Sequence, residues 1–282
     1  VSHHALQDAL VIALHDATFV EALHRDPDAT LVGLELTRAE RAQLAAVDPR
    51  AFRTDPLRRR RILRVLAEEL RASTTLALAE TRSLAFAEGF FESAEFRGAV
   101  IGRRPLVLAF GEYLASAGLA APLAAEIIRL ETLLARCRRD RLRPPAAGLA
   151  LAPGVAVATF DAATLPAVQA LERYVFELAL MPQAALCDDR PPPPAAAPSG
   201  ERAHLLVTPA QAGVSLTAID EGLFRVLRRL AVPIDRRDAA VALAPEGVPA
   251  AAADDLLQSL IEDGLLADGW PPDAQLIATR TA

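Results

Sequence analysis

The sequence predicts a mainly α protein with a small β component: an N-terminal helical domain followed by a C-terminal α+β recognition domain. Three observations carry that class. Hydrophobic residues make up 52% of the 282 residues, and alanine, the strongest helix former, supplies much of that share. Apolar residues recur every three or four positions through most of the first 140 residues, the period of a one-sided helix. Past Pro144-Pro145, and again past Gly200, that rhythm gives way to short extended runs. At 30.0 kDa the chain has room for two domains of ordinary size.

The N-terminal elements follow in order. Leu6, Leu10, Leu14, Phe19 and Leu23 mark a helix over Ala5 to His24, broken at Asp26-Pro27. Leu31 to Leu36 is a connector. Thr37-Arg-Ala-Glu40 has the spacing of a capping box, in which each side chain satisfies a free backbone N–H, and its helix ends near Asp48-Pro49. Asp55 suits an N-cap and Pro56 a first turn, opening a helix that buries Ile62, Val65, Leu66 and Leu70. Arg58 to Arg61 point about 100° apart on that helix, so they form no single phosphate-binding stripe. Some are expected to pair with Asp55, Glu68 or Glu69 and others to face a partner surface. Helix resumes from Thr75 to Gly89, Ser93 caps the next segment, and Arg103-Arg104-Pro105 launches Leu106 to Leu114. A long helix from Leu119 to Arg141 turns Ile127, Leu130, Leu133 and Leu134 inwards and ends in arginines, favourable at a helix C-terminus. Phe86, Phe90, Phe91, Phe96, Phe110 and Tyr113 stand at helical spacing and read as core.

The organisation predicted is a helical domain over 1–143, a strand/helix connecting segment over 144–187, a Pro-rich linker over 188–202 and a recognition domain over 203–282. Gly148 to Phe160 alternates like a bent strand or hairpin, and Leu165 to Leu180 returns to helix. Whether this middle segment packs on the first domain or the last is open. His204-Leu-Leu-Val-Thr208 and Val214-Ser-Leu216 then read as two extended pieces around a turn. Thr217 to Asp220 has a second capping-box spacing. Behind it Ile219, Leu223, Val226, Leu227 and Leu230 form one helix face, stopped by Pro233. Arg236 to Leu243 and Pro249 to Asp263 supply two more helices, Gly264 a left-handed stop, and Leu265-Leu266 a closing strand. Strands, three helices and a final strand in that order describe a winged-helix-like module.

Such modules bind DNA, peptides or proteins, so the chemistry has to choose. The third helix carries Asp254, Asp255, Glu262 and Asp263 with no basic residue, and would be repelled by phosphates. The net charge of −6 points the same way, so no nucleic-acid partner is expected. Catalytic constellations are missing from the pattern too. His15 and His24 lie nine apart, His3-His4 stands at a fraying end, and His204 is alone. No Gly-rich phosphate loop, His-Glu-x-x-His or Gly-x-Ser-x-Gly occurs. Cys137 and Cys187 are too few for a disulfide framework. Cys137 lies among Arg136, Arg138 and Arg139, which would lower a thiol pKa. With no secretion signal and no run long enough to span a membrane, a cytoplasmic protein is expected.

Two resemblances sharpen the reading. Val-Ser-Leu-Thr-Ala-Ile-Asp at 214–220, with Leu-Ile-Glu-Asp-Gly-Leu-Leu at 260–266, resembles the PqqD-type recognition element of peptide-modifying enzymes, which takes a leader peptide as an added strand beside a helix. Leu36-Thr-Arg-Ala-Glu-Arg41, Asp48-Pro-Arg-Ala-Phe-Arg53, Asp55-Pro-Leu-Arg-Arg-Arg-Arg-Ile-Leu63, Phe90-Phe-Glu-Ser-Ala-Glu-Phe96 and Arg104-Pro-Leu-Val-Leu-Ala-Phe110 run in an order similar to the helical partner subunits of multinuclear non-haem iron-dependent oxidative enzymes in ribosomal peptide biosynthesis. The resemblance implies a non-catalytic subunit without a cofactor of its own. The iron would belong to a separate TIM-barrel oxidase, to which this chain would present a precursor peptide, with cysteine the expected target of modification. By analogy the peptide would lie along His204, Leu205, Leu206, Val207 and Thr208 and against Ile219, Leu223 and Val226. Arg103, Arg104 and Phe91 are the candidate contacts to the oxidase. The alternatives are a winged-helix transcription regulator, which needs basic residues on its reading helix, and an independent enzyme or small helical dioxygenase subunit.

Overall fold

The computed structural model describes residues 3–53, 55, 57–178, 181–188, 197–211 and 213–269. The fold is mostly helical, with five strands in two small antiparallel sheets among the described residues. It divides into two compact units that are discontinuous in sequence, one comprising 1–132 and 165–197, the other 133–164 and 198–282.

The first unit holds α1 (His3–His15), α2 (Ala17–Arg25), α3 (Pro27–Thr30), α4 (Arg38–Ala45), α5 (Arg58–Glu69), α6 (Arg71–Thr81), α7 (Leu84–Glu88), α8 (Ala94–Ile101), α9 (Leu106–Ser116), the first half of α10 (Ala124–Asp140) and nearly all of α11 (Thr164–Glu177). The helix expected over Ala5 to His24 is two helices, because Asp16 leaves helical geometry and caps α2. Its Oδ1 accepts the Phe19 N–H at 2.9 Å, while its Oδ2 pairs with Arg97 at 2.6 Å. A fully buried carboxylate is tolerable only with partners of this kind. The Thr37 capping box forms as expected, with Glu40 N–H donating to Thr37 Oγ1 at 3.3 Å and Thr37 N–H to Glu40 Oε2 at 2.7 Å.

On α5 the inward face is displaced from the expectation. Leu63, Leu66, Ala67 and Leu70 are buried, whereas Val65 is 50% exposed. Leu63, Leu66, Ala67 and Leu70 share one stripe of the helix, and Val65 lies about 150° around from it; Pro56, expected in the first turn, lies outside the described residues. Asp55 braces the turn by accepting the Leu57 N–H at 3.1 Å, and Leu57 takes the N-cap position. Further on, Arg82 adopts a left-handed backbone at φ 53° and ends α6, so Thr75 to Gly89 is not continuous helix. Its guanidinium donates to the carbonyls of Ala185 at 3.0 Å and Asp188 at 2.9 Å.

The aromatic cluster is the centre of this unit. Phe90, Phe91, Phe96 and Phe110 are fully buried, and Phe90 meets Phe110 edge-on with centroids 5.2 Å apart, a favoured aromatic geometry. Glu131 of α10 is buried as well. It accepts the Ala72 N–H at 2.9 Å and the Ser73 N–H at 2.7 Å, capping α6 from another helix where Leu70 offers no side-chain cap.

The second unit adds to the end of α10 the elements β1 (Gly148–Leu151), β2 (Ala156–Asp161), β3 (Arg202–Ala210), β4 (Gly213–Ile219), α12 (Glu221–Arg229), α13 (Arg236–Leu243), α14 (Ala250–Glu262) and β5 (Leu266–Gly269). One sheet has the order β2-β3-β4 and the other pairs β1 with β5. Gly148 to Phe160 is therefore no hairpin: its two strands enter different sheets. Between them Gly154, at φ 83°, lies so near α10 that a Cβ would come within 2.8 Å of the Arg141 Cβ and 3.0 Å of the Cys137 carbonyl oxygen. The connecting segment 144–187 belongs wholly to neither unit, since its strands join the second and its helix α11 the first. Arg202 already stands in β3, and 189–196 of the Pro-rich linker lies outside the described residues. Thr217 makes no capping box, being extended in β4 opposite Leu206. Asp220 alone caps α12, accepting the Leu223 N–H at 2.9 Å. Leu149, Leu206, Leu227, Leu230, Leu243, Leu257 and Leu266 form the core that joins the strands to the three helices.

Candidate functional site

Strand pairing decides where a peptide could join the second unit. β3 is the central strand: Leu206 stands opposite Val157 of β2 on one side and Thr217 of β4 on the other. The backbone of His204 to Val207 is thus committed to two ladders, with Thr208 paired to β4 alone, and an incoming strand cannot pair along this stretch. That corrects the expected peptide groove. In this three-stranded sheet β2 and β4 are the outer strands.

The side chains named for the groove build its platform instead. Leu205, Leu206, Val207 and Val226 are buried. Directly opposed residues share a face of a sheet, so Val157, Leu206 and Thr217 lie together, as do Thr159, His204 and Ile219. His204 stacks on Phe224 of α12 with centroids 4.2 Å apart, and its Nδ1 is 2.9 Å from Thr159 Oγ1. Ile219 and Leu223 are half-buried against the same core. Thr208, also half-buried, lies opposite Ser215.

The exposed edge is β4. Over its seven residues Ser215, Thr217 and Ala218 are exposed, while Val214, Leu216 and Ile219 are half-buried. Residues of an outer strand direct their N–H and C=O alternately towards the ladder and away from it. Among the described residues, β4 therefore offers donors and acceptors without a strand partner beside apolar side chains. The alternation was visible at Val214 to Thr217, but nothing local in the sequence says that β2, some 45 residues upstream of β3, covers the other flank.

β2 is held more tightly. At its end the Asp161 carboxylate accepts the N–H groups of Ala163, Ser199 and Gly200 at 2.8 to 3.0 Å, and the Ser199 hydroxyl at 2.9 Å. Those donors, the Ala163 and Ser199 N–H foremost, lower its pKa to about 2. Sequence reading passed over this clasp, which joins the end of β2 to the start of β3.

Charge around the second unit is sorted by helix. Asp254, Asp255 and Glu262 on α14 are exposed, as is Asp263 just beyond it. On α12, Arg225 and Arg229 both reach Glu246, at 3.6 and 2.9 Å.

In the first unit, the candidate oxidase contacts separate. Phe91 is fully buried, 5.4 Å from the Phe96 ring and beneath the Arg59 guanidinium at 5.8 Å, so it belongs to the core and cannot be a surface contact. Arg103 is exposed at φ 50°. Arg104 is exposed but held by Glu112 through two hydrogen bonds of 2.8 and 2.9 Å. The arginine run is divided among partners on different sides of α5. Arg58 donates to the Leu14 carbonyl at 3.3 Å, Arg59 to Glu92 at 3.1 Å, Arg60 faces Glu88 at 3.5 Å, and Arg61 pairs with Asp55.

Among the described residues no group of three or more His, Cys, Asp or Glu is placed to hold a metal ion. No helix there is long and apolar enough to cross a membrane. Cys137 is buried, and burial pushes its thiol up to about 11 despite Arg136 and Arg138. The neighbouring arginines thus lose to desolvation, contrary to the expectation. Comparison of the chain with protein-family models and with curated proteins finds no match.

Proposed function

We propose that this chain is a non-catalytic partner subunit that captures a ribosomally made precursor peptide as an added strand along β4 and presents it to a separate iron-dependent TIM-barrel oxidase. The observation that carries peptide capture is the outer edge of β4, exposed and unpaired among the described strands, on a sheet whose central strand β3 is paired on both sides. Main-chain hydrogen bonds along such an edge supply affinity, and alternate side chains read the sequence. The acidic surface of α14 favours a peptide over a nucleic acid.

The link to an iron oxidase rests on the resemblance of five stretches between Leu36 and Phe110. All five lie in the first unit, where they supply the Thr37 capping box and much of the aromatic core. Docking would therefore use the first unit and peptide capture the second.

The test is to copurify the full chain with a candidate TIM-barrel iron oxidase and its precursor peptide, then map amide exchange. Slowed exchange along 214–219 on adding peptide, with iron found only in the barrel protein, is the expected result. Peptide protection confined to other segments, or salt-sensitive DNA binding without peptide binding, would overturn it.

A further inference from the structure

A cavity of about 250 Å³ opens beside α5 in the first unit, and the peptide reading makes no use of it. Leu63, Ala67, Leu78, Leu84 and Ala87 give it an apolar wall. Two further features are polar. Arg60 and Arg64, one helical turn apart on α5, also line it, and their side chains are 64% and 72% exposed. Thr74 lines it from α6 and is 1% exposed, yet its hydroxyl has no hydrogen-bond partner.

Each of these is unusual on its own terms. A buried hydroxyl without a partner costs free energy, and native structures leave few of them. The two arginines are held loosely. Arg60 reaches Glu88, and Arg64 reaches Glu68, only at 3.5 Å, whereas Arg59 is engaged at 3.1 Å and lies over an aromatic ring. Exposed pairs of that kind contribute little and are easily exchanged for a better acceptor. Arginine meets a carboxylate through a planar fork of donors, which makes a carboxylate the fitting acceptor.

We infer that this cavity is a binding site for a small organic acid, whose carboxylate meets Arg60 and Arg64 at the mouth and whose apolar body lies on Leu63, Leu78 and Leu84. A hydrogen-bonding atom on that body, such as a hydroxyl or keto oxygen, would partner Thr74. The cavity is smaller than the ~300–1,000 Å³ of sites for drug-sized ligands, so the ligand is a single short chain or ring. The site is independent of the peptide edge and stands or falls separately from it.

Calorimetric titration of the full chain with a series from butanoate to octanoate, their hydroxy acids and the matching neutral amides tests the assignment. Acids should bind, hydroxy acids more tightly, and amides at least ~10-fold more weakly, the worth of one charge-assisted contact. Arg60→Gln with Arg64→Gln should erase the preference for acid over amide. Thr74→Val separates ligand recognition from structure: it should raise the stability of the unliganded chain by removing an unsatisfied hydroxyl, yet abolish the advantage of the hydroxy acids. Absence of binding by every acid, equal binding of acids and amides, or a Thr74→Val protein that keeps the hydroxy-acid advantage would each overturn the proposal.

Discussion

At the scale of single residues, the buried polar groups carry the sharpest consequences. Glu131 accepts two N–H groups at the start of α6. Its replacement by alanine orphans both donors, and at ~1–3 kcal/mol for each buried unsatisfied group the loss should be about 2–6 kcal/mol, read from the denaturant midpoint. The carboxyl also titrates with folding. Burial is the largest influence on Glu131 and raises its pKa above the usual carboxylate range, against the opposing pull of the Ser73 and Ala72 hydrogen bonds. The folded state therefore holds this proton to higher pH than the unfolded chain does. By linkage the contribution is fully present below about pH 4.5 and is lost as pH rises through the folded pKa. Glu131→Gln should flatten that part of the stability profile; an unchanged slope would show that another group causes it. Phe91 makes a simpler case. A fully buried ring cut back to alanine costs ~3–5 kcal/mol, so Phe91→Ala should lower the melting temperature of the isolated chain. A normal melting temperature with loss of oxidase binding would restore Phe91 as a surface contact.

At the scale of elements, the sheet divides into its central strand β3 and its outer strands β2 and β4. Proline cannot donate to a ladder and is confined to edges. Val207 stands in the central strand, so Val207→Pro should unfold the second unit, and a selective loss of peptide binding is not expected. On β4 neighbouring residues face opposite ways. Of Leu216→Pro and Thr217→Pro, one removes a donor to β3 and should destabilise the sheet, while the other removes an outward donor and should weaken peptide binding with little change in melting. Two variants that both melt early and bind normally would count against β4 as the peptide edge. Helix limits were the legible part of this unit. Pro233, Asp235 and Leu243 bracket α13 as the sequence suggests, and Gly264 at φ 70° ends the third helix region, because prolines, caps and glycines act within a turn of their own position. Strand pairing was not legible. The partner of His204 to Thr208 on the β2 side lies some 45 residues upstream, and local alternation carries no information about which strand comes to lie alongside. The inward face of α5 was misplaced because apolar residues stand on more than one side of it, and only packing against neighbouring helices selects the stripe of Leu63, Leu66, Ala67 and Leu70 and leaves Val65 in water.

At the scale of the molecule, the chain crosses between its units twice within forty residues, at α10 and α11. Composition alone suggested a cut near the Pro-rich run, with a self-sufficient module from 203 onwards. The topology argues against it. A fragment of 203–282 would keep β3, β4 and the three helices but lose β2, the ladder partner of Ala203 to Val207, and β1, the partner of Leu266 to Gly269. Leu149 and Val155 would leave the leucine core with them. Small domains have little stability to spare, since the surplus of burial over chain entropy is a few kcal/mol. The fragment is therefore expected to lack a cooperative melting transition. Extending it back to 133 restores both strands but also brings α11, whose buried Leu171, Tyr174 and Val175 belong to the other unit. That longer fragment should recover the transition only when residues 165–197 are replaced by a short flexible linker joining Thr164 to Pro198. Circular dichroism of the three fragments checks the order. A cooperative transition in 203–282 alone would show that β1 and β2 are ornaments on a module already complete without them.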